Sequence, residues 1–325
     1  MTNGKSGRKV KKLITTIISI LVVLVASFFG IDVMETTPNS EEIQTQETTI
    51  PIQSPEGELI VHMIDVGQAD CFLLVQDEAT ALVDCGTRST GDDAVQYLKE
   101  LGITRLDYVI GTHPHDDHMG GMYDIITSFE IGTVIIPDSR DAEITANWYA
   151  KLMKELKTGD YNVEYPEKGD SYLLEEVTMK VLSAETDVEG NTNNYSIVLK
   201  VSFGQMDMIM TGDAETEVEE KILESEFDID AEILKVGHHG SDTSSSEAFL
   251  DAISPEYALV SCKLGNKYEH PIKSTMEKLE ERNIEVYRTD ESGSVIMTIT
   301  ADEVTFNCEP GDYLSGVELE ERESK

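Results

Sequence analysis

The sequence predicts a layered α/β domain. Three observations carry this expectation. From Leu59 onward, short runs rich in β-formers alternate with helix-like segments. The alternation is laid out in two similar halves, and no repeat of fixed period is visible. Strands mixed with helices in this way pack as sheets covered by helices.

In the first half, Leu59–Asp65, Cys71–Gln76 and Thr80–Asp84 read as strands, with Asp77-Glu78 as a tight turn. Asp92–Leu101 reads as a helix stopped at Gly102. Leu106–Gly111 is a buried strand running straight into His113. Met119–Phe129 and Ile144–Lys157 read as helices, with Thr133–Ile136 a strand between them. In the second half, Val177–Leu182, Ser196–Phe203 and Met206–Thr211 are strands, the last two joined by Gly204-Gln205. Glu215–Ser225 is a helix, and Ala231–Val236 is a strand ending at His238. Helix Ser246–Ile253, strand Tyr257–Ser261, helix Ile272–Arg282 and strand Ile284–Tyr287 follow. Ser294–Thr300 and Val304–Cys308 close the domain as a hairpin. The domain is expected over residues 59–310, followed by an acidic tail, 311–325, that frays.

The chain has 325 residues, of which 40% are hydrophobic. That excludes a wholly disordered chain, a collagen-like repeat and a polytopic membrane protein. The formal net charge is -38. Five of the basic residues fall in a basic head, residues 1–12, which leaves 20 basic against 63 acidic residues, a net -43, on the rest. Such a field repels polyanions at long range and draws in cations.

Leu13–Ile31 is a 19-residue stretch without a charged side chain. As a helix it spans roughly 28 Å, about a bilayer core. Basic residues precede it and acidic residues follow, so everything after Asp32 is expected outside the cell. A transmembrane anchor is the first reading and a cleaved signal segment the alternative; both export the domain. Residues 32–58 read as a disordered tether. Cys71, Cys85, Cys262 and Cys308 show no CxxC spacing, so a cysteine zinc site is not expected. Three sit in apolar runs as small buried thiols, with a Cys71–Cys85 bridge as the alternative.

Chemistry concentrates in the histidines. Three lie in Thr112-His113-Pro114-His115-Asp116-Asp117-His118, and two more in Gly237-His238-His239-Gly240-Ser241. Each group follows an apolar strand, where loops present functional side chains. Imidazole and carboxylate are common ligands for zinc, manganese and iron. In H-x-H-x-D-H, His113 and His115 share one ion, while Asp117 and His118 turn toward a second. Asp213, at a strand end, is placed to bridge them or to N-cap the next helix. One of His238 and His239 is a ligand, and the other supports a ligand from behind or contacts substrate. His270 is a substrate contact or a surface histidine. His62 alternates on a strand and packs. Two ions about 3.5–4 Å apart activate water and polarise a phosphoryl or carbonyl oxygen.

These residues resemble the metallo-β-lactamase superfamily. Within it they are most similar to the metallohydrolase domain of the ComEC competence proteins and its stand-alone relatives. The resemblance rests on Asp65-Val66-Gly67-Gln68-Ala69-Asp70, Asp84-Cys85-Gly86, His113–Gly121, Asn193–Leu199, Thr211-Gly212-Asp213, His238–Ser241 and Tyr268-Glu269-His270-Pro271. It implies a four-layer αββα sandwich and binuclear metal hydrolysis, with phosphodiesters, DNA included, as the substrate class. Phosphorylcholine esterases of bacterial surfaces share the same general site. Two departures stand out. Many members carry a separate histidine before the bridging Asp, yet Met119 to Gly212 contains none, and Asn194 stands near its expected place. One ion is therefore expected to be weakly held or open. Ala69 also replaces a glycine common in the relatives. No multi-helix channel accompanies the domain, so a DNA-uptake pore is not expected here.

The expected enzyme is an extracellular hydrolase using two divalent ions, zinc or manganese first. Its ligands come from His113, His115, Asp117, His118, Asp213, His238 and His239. Asp117, His238, Asn194 and His270 serve the chemistry by steadying developing charge or moving the leaving-group proton. Asp84 orients a ligand histidine. Lys200, Lys235, Lys263, Lys267 and Lys273 form a local basic patch or are scattered surface lysines. Partners are a phosphodiester substrate, either DNA or a small phosphoester, and the membrane; no protein partner is evident. Alternatives are a non-catalytic surface binding module with structural metals, and hydrolysis of another ester or of a lactam.

Overall fold

The computed structural model describes residues 54–325 apart from 56, 140–143, 189 and 302. The basic head, the Leu13–Ile31 segment and most of the tether lie outside the described residues. Among the described residues, no helix is long and apolar enough to cross a membrane.

Two sheets form the centre. The first half supplies β1 (Leu59–Met63), β2 (Phe72–Gln76), β3 (Ala79–Val83), β4 (Arg105–Ile110), β5 (Glu130–Ile135) and β6 (Asn162–Glu164). The second supplies β7 (Ser171–Leu174), β8 (Val177–Ser183), β9 (Val198–Phe203), β10 (Met206–Met210), β11 (Ile233–Lys235), β12 (Tyr257–Val260) and β13 (Glu285–Arg288). The hairpin β14 (Val295–Ile299) and β15 (Val304–Phe306) returns to the first sheet. Among the described residues the strand orders are β15-β14-β1-β2-β3-β4-β5-β6 and β13-β12-β11-β10-β9-β8-β7. In each sheet an antiparallel portion leads into parallel strands: β3 to β6 in one, β10 to β13 in the other.

The period-2 alternation of strand side chains decides the layering. On β2, Phe72 and Leu74 face a core shared by the two sheets, while Leu73 and Val75 face the other way. On β10, Met208 and Met210 face the shared core and Ile209 the outer one. The outer face of the first sheet is covered by α1 (Gly91–Glu100), the short helices α2 (Asp116–Met119) and α3 (Met122–Ser128), and α4 (Asn147–Thr158). The outer face of the second is covered by α5 (Thr216–Leu223), α6 (Glu247–Ile253) and α7 (Lys273–Glu281). This is the αββα sandwich. Parallel strands end together at one edge of each sheet, so the loops after β3, β4, β10, β11 and β12 converge there.

Three expectations change. The continuous helix from Met119 to Phe129 is two short helices, because the Gly121 amide donates to the Gly86 carbonyl and the carbonyls of Asp117 and His118 accept from the Asp70 and Cys85 amides, which interrupts the helical ladder. Gly120 and Gly121 each lie so close to neighbouring backbone that a β-carbon would collide, Gly120 with Asp116 and Gly121 with Cys85. The tail does not fray. Ser315 caps α8 (Gly316–Glu323) in a capping box with Glu318, and Leu319 is buried. Buried Arg288 anchors the approach to it, pairing with Asp290 at 2.8 Å and donating to the carbonyls of Asp312 and Leu314. The cysteines are free thiols, with Cys71, Cys85 and Cys262 buried, so no Cys71–Cys85 bridge forms.

His62 packs as expected. Its Nδ1 lies 2.9 Å from the Tyr97 hydroxyl. Burial pushes its pKa from 6.5 down to about 4. The folded state therefore resists a proton that the unfolded chain accepts. The stability involved is complete above pH 6.5 and is lost as pH falls from 6.5 toward 4. His62→Asn keeps a polar partner for Tyr97 and removes the titration. It is expected to flatten the acid limb of stability by on the order of 2–3 kcal/mol between those pH values. Urea midpoints at pH 7 and pH 4.5 check this.

Candidate metal centre

The converging loops bring the predicted histidines together. After β4, Thr112 leads into His113, and His115 begins the α2 turn that carries Asp117 and His118. His113 and His118 are buried, with ring centroids 4.1 Å apart. His115 is half-buried and places its Nδ1 2.9 Å from His113 Nε2. Asp213 follows β10, and its Oδ2 lies 3.2 Å from His118 Nε2, 3.8 Å from His113 Nε2 and 3.6 Å from His238 Nε2. Its Oδ1 lies 3.8 Å from His239 Nε2. Asp117 Oδ2 lies 3.7 Å from His239 Nε2.

Asp213 does not cap a helix. The N-cap of α5 is Glu215, whose amide donates to Asn194 Oδ1 at 3.0 Å. Asn194 is buried, but its oxygen is spent on that amide and not on the cluster. His270 is buried beside His238, ring centroids 5.5 Å apart, and is not a surface histidine.

The outward nitrogens of His113, His118 and His239 are held. His118 Nδ1 pairs with Asp84 at 2.8 Å, and His239 Nδ1 donates to the Ser261 carbonyl at 2.8 Å. His113 Nδ1 faces the hydroxyls of Thr112 at 3.2 Å and Ser196 at 3.3 Å. This fixes the tautomers and turns each Nε2 inward. Four partners escaped the reading of the sequence: Asp70, Thr112, Ser196 and Ser261. Lys235 belongs with them. It is fully buried, pairs with Asp70 at 2.6 Å and donates to the Gly212 carbonyl at 3.1 Å.

The basic patch dissolves on inspection. Lys200 pairs with Asp207 at 2.8 Å, Lys235 with Asp70, and Lys273 with Glu318 at 2.6 Å. Lys263 and Lys267 remain. They line a cleft of about 400 Å³ beside Asp117, with Gln68, Asn266 and Tyr268.

The donor set fits a metal ion on two counts. First, His118 Nε2, Asp213 Oδ1 and His239 Nε2 are buried without a hydrogen-bond partner; His239 Nε2 lies 3.8 Å from Asp213 Oδ1, and His118 Nε2 lies 3.2 Å from the other oxygen, Oδ2, as an ion pair without hydrogen-bond geometry. Burying such groups unpaired is costly unless something fills the space between them. Second, His113, His118 and Asp213 each offer an atom within 4.8 Å of the others, and so do Asp117, His118 and His239. Without a cation the carboxylates act on the imidazoles instead. Burial alone would depress His239, yet Asp213, Asp70 and Asp117 hold it up to about 10. Burial likewise opposes a charge on His118, and Asp213 and Asp84 outweigh it.

Two packed sheets with a histidine–aspartate cluster at their converging strand ends define a metallohydrolase of the αββα class. Residues 64–263 match the Metallo-beta-lactamase superfamily, and the chain belongs to that superfamily of metal-dependent hydrolases. It is 30% identical over 263 residues to ComE operon protein 3 of Bacillus subtilis, covering 75% of this chain and 33% of that protein. It is 29% identical over 247 residues to Competence protein ComA of Neisseria gonorrhoeae, again covering 75% and 33%. These are competence proteins of the ComEC type, as the sequence resemblance implied, and the chain spans about a third of their length. Among solved structures it is similar to CmlA, a diiron beta-hydroxylase from Streptomyces venezuelae. The TM-score is 0.51 at 14% identity over 76% of this chain and 55% of that one, a likeness of fold alone.

Proposed function

We propose that this protein is a binuclear metal-dependent phosphodiesterase. The carrying observation is the clustering of buried donors: His113, His118 and Asp213 in one group and Asp117, His118 and His239 in another, with His118 Nε2, Asp213 Oδ1 and His239 Nε2 left without a hydrogen bond. In this reading His113 and His115 hold one ion, Asp117, His118 and His239 hold the other, and Asp213 lies between. Zinc or manganese suits these nitrogen and oxygen donors. Two such ions activate water and neutralise charge developing on a phosphoryl group.

The chain's own residues do the rest. Asp84 and the Ser261 carbonyl orient His118 and His239. Burial, with His239 and His238, holds His270 down at about 4, so at pH 7 it is a neutral hydrogen-bonding group beside His238 and not a standing acid. Lys263 and Lys267 line the adjoining cleft together with Asp116 and Asp117, and their ammonium groups supply the positive charge there that an anionic ester can meet. The uncharged stretch after the basic head further supports export of the domain on a membrane anchor.

The test uses protein purified without chelator. Metal per chain is counted, and bis-p-nitrophenyl phosphate turnover is followed with and without chelator. About two ions and chelator-sensitive turnover are expected. Two ions with no phosphodiester turnover under zinc or manganese would point to another ester class or to a binding module.

A further inference from the structure

We propose that the adjacent residues His238 and His239 ligate different ions. His239 serves the ion of Asp117 and His118, while His238 joins His113 and His115 on the other. The inference rests on the binuclear reading above and names a ligand that reading leaves out.

The backbone makes the division. His238 and His239 both sit in the left-handed region, at φ 51 and φ 54. Few residues other than glycine adopt it, and two in succession need a reason. Here the turn splays consecutive rings, with centroids 6.4 Å apart and planes 60° apart. The result is that they face opposite oxygens of one carboxylate. His238 Nε2 lies 3.6 Å from Asp213 Oδ2, and His239 Nε2 lies 3.8 Å from Asp213 Oδ1. Oδ2 also lies 3.8 Å from His113 Nε2 and 3.2 Å from His118 Nε2, so the division rests on the splay of the two rings and on His239 Nε2 alone meeting Asp117 Oδ2, at 3.7 Å.

The other nitrogen of His238 is held as a ligand's would be. Its Nδ1 lies 3.2 Å from the Thr243 hydroxyl and 3.8 Å from Glu215 Oε1. Glu215 is itself gripped by the amides of Asn191 and Asn193 at 2.8 and 2.7 Å. The Thr243 hydroxyl holds the direction of the ring, and the fixed carboxylate of Glu215 stands behind it. Met119 to Gly212 offers no histidine in competition, and Asn194 has spent its oxygen on the Glu215 amide. With His238 the two ions have matched donor sets: His113, His115, His238 and Asp213 against Asp117, His118, His239 and Asp213.

The test is cobalt(II) titration of the full chain and of His238→Ala, His239→Ala and His238→Cys. Bound metal is counted directly and ligand-field absorption is recorded. The wild type is expected to take two equivalents. His238→Ala and His239→Ala should each lose one, with different residual spectra. His238→Cys should recover the second equivalent and add a thiolate-to-cobalt charge-transfer band. That band also serves if the alanine variant does not fold. Two equivalents of unchanged affinity in His238→Ala, or no such band in His238→Cys, overturns the proposal and leaves the binuclear reading standing. Fewer than two equivalents in the wild type overturns both.

Discussion

Lys235→Met is expected to destabilise the metal-free protein by roughly 3–5 kcal/mol, the cost of stranding one member of a buried ion pair. Lys235 is fully buried, and its ammonium lies 2.6 Å from Asp70 and 4.0 Å from Asp213 Oδ1. It is the one lysine set among Asp70, Asp84 and Asp213. Burial alone would push the Asp70 carboxyl up. Lys235, with His239 and His118, holds it well below the usual carboxylate range instead. A depressed carboxylate contributes stability that is present above its unfolded value of 3.8 and is lost as pH falls below it. Without Lys235 that contribution goes, so the penalty should be larger at pH 7 than at pH 3.5. The double variant Asp70→Leu with Lys235→Met should cost less than the two single changes summed, because it buries no unpaired charge. Urea unfolding of chelator-treated protein at both pH values reads this out. A penalty independent of pH would mean that Lys235 only fills space.

Lys235 also shows where the sequence was and was not legible. The strands and the two histidine loops are written locally, in apolar alternation and in close spacing. Their ends lie within a residue or two of where the sequence places them, except that β5 starts three residues earlier, at Glu130. Lys235 was instead read with a surface patch, although it stands in Ile233-Leu234-Lys235-Val236, a run otherwise suited to a strand buried on both faces. A lone charge in such a run implies a buried partner, but the partner, Asp70, lies far away in the chain and only the folded sheets supply it. Asp213 was ambiguous for a related reason. A strand-end Asp before a helix satisfies the capping rule, and only the neighbouring Asn194 shows that the cap is provided elsewhere. The edge strands β6 and β7 were missed because they are short and largely exposed, so no apolar alternation marks them. The α8 helix was a different failure. Ser315-Gly316-Val317-Glu318 carries the capping-box pattern in plain view, but the surrounding charge was read as fraying.

Asp84→Ala is expected to weaken metal binding by roughly 10–100-fold, the usual cost of losing a carboxylate that orients a ligand histidine. Asp84 touches more than one ligand. Its Oδ2 holds His118 Nδ1 at 2.8 Å, and its Oδ1 accepts from the Thr112 amide at 2.8 Å. The Thr112 hydroxyl, also bound to Asp84 at 2.8 Å, lies 3.2 Å from His113 Nδ1. One carboxylate thus sets the directions of ligands on both sides of Asp213. Its effect on protons runs the other way. With Asp213, Asp84 holds His118 well above the ordinary imidazole range, so a metal must displace a proton from that ring. Removing Asp84 lowers that proton affinity while it loosens the ring. The loss of metal affinity should therefore grow with pH, being smallest where proton competition handicaps the wild type most. Asp84→Asn separates the two effects. Asparagine tolerates the left-handed backbone at this position, φ 59, and its oxygen can still accept from His118. It should retain most of the affinity at high pH. Zinc competition titrations at pH 6 and pH 8.5 decide the matter, and equal losses for both variants at both pH values would show that Asp84 acts on the fold and not on the ligands.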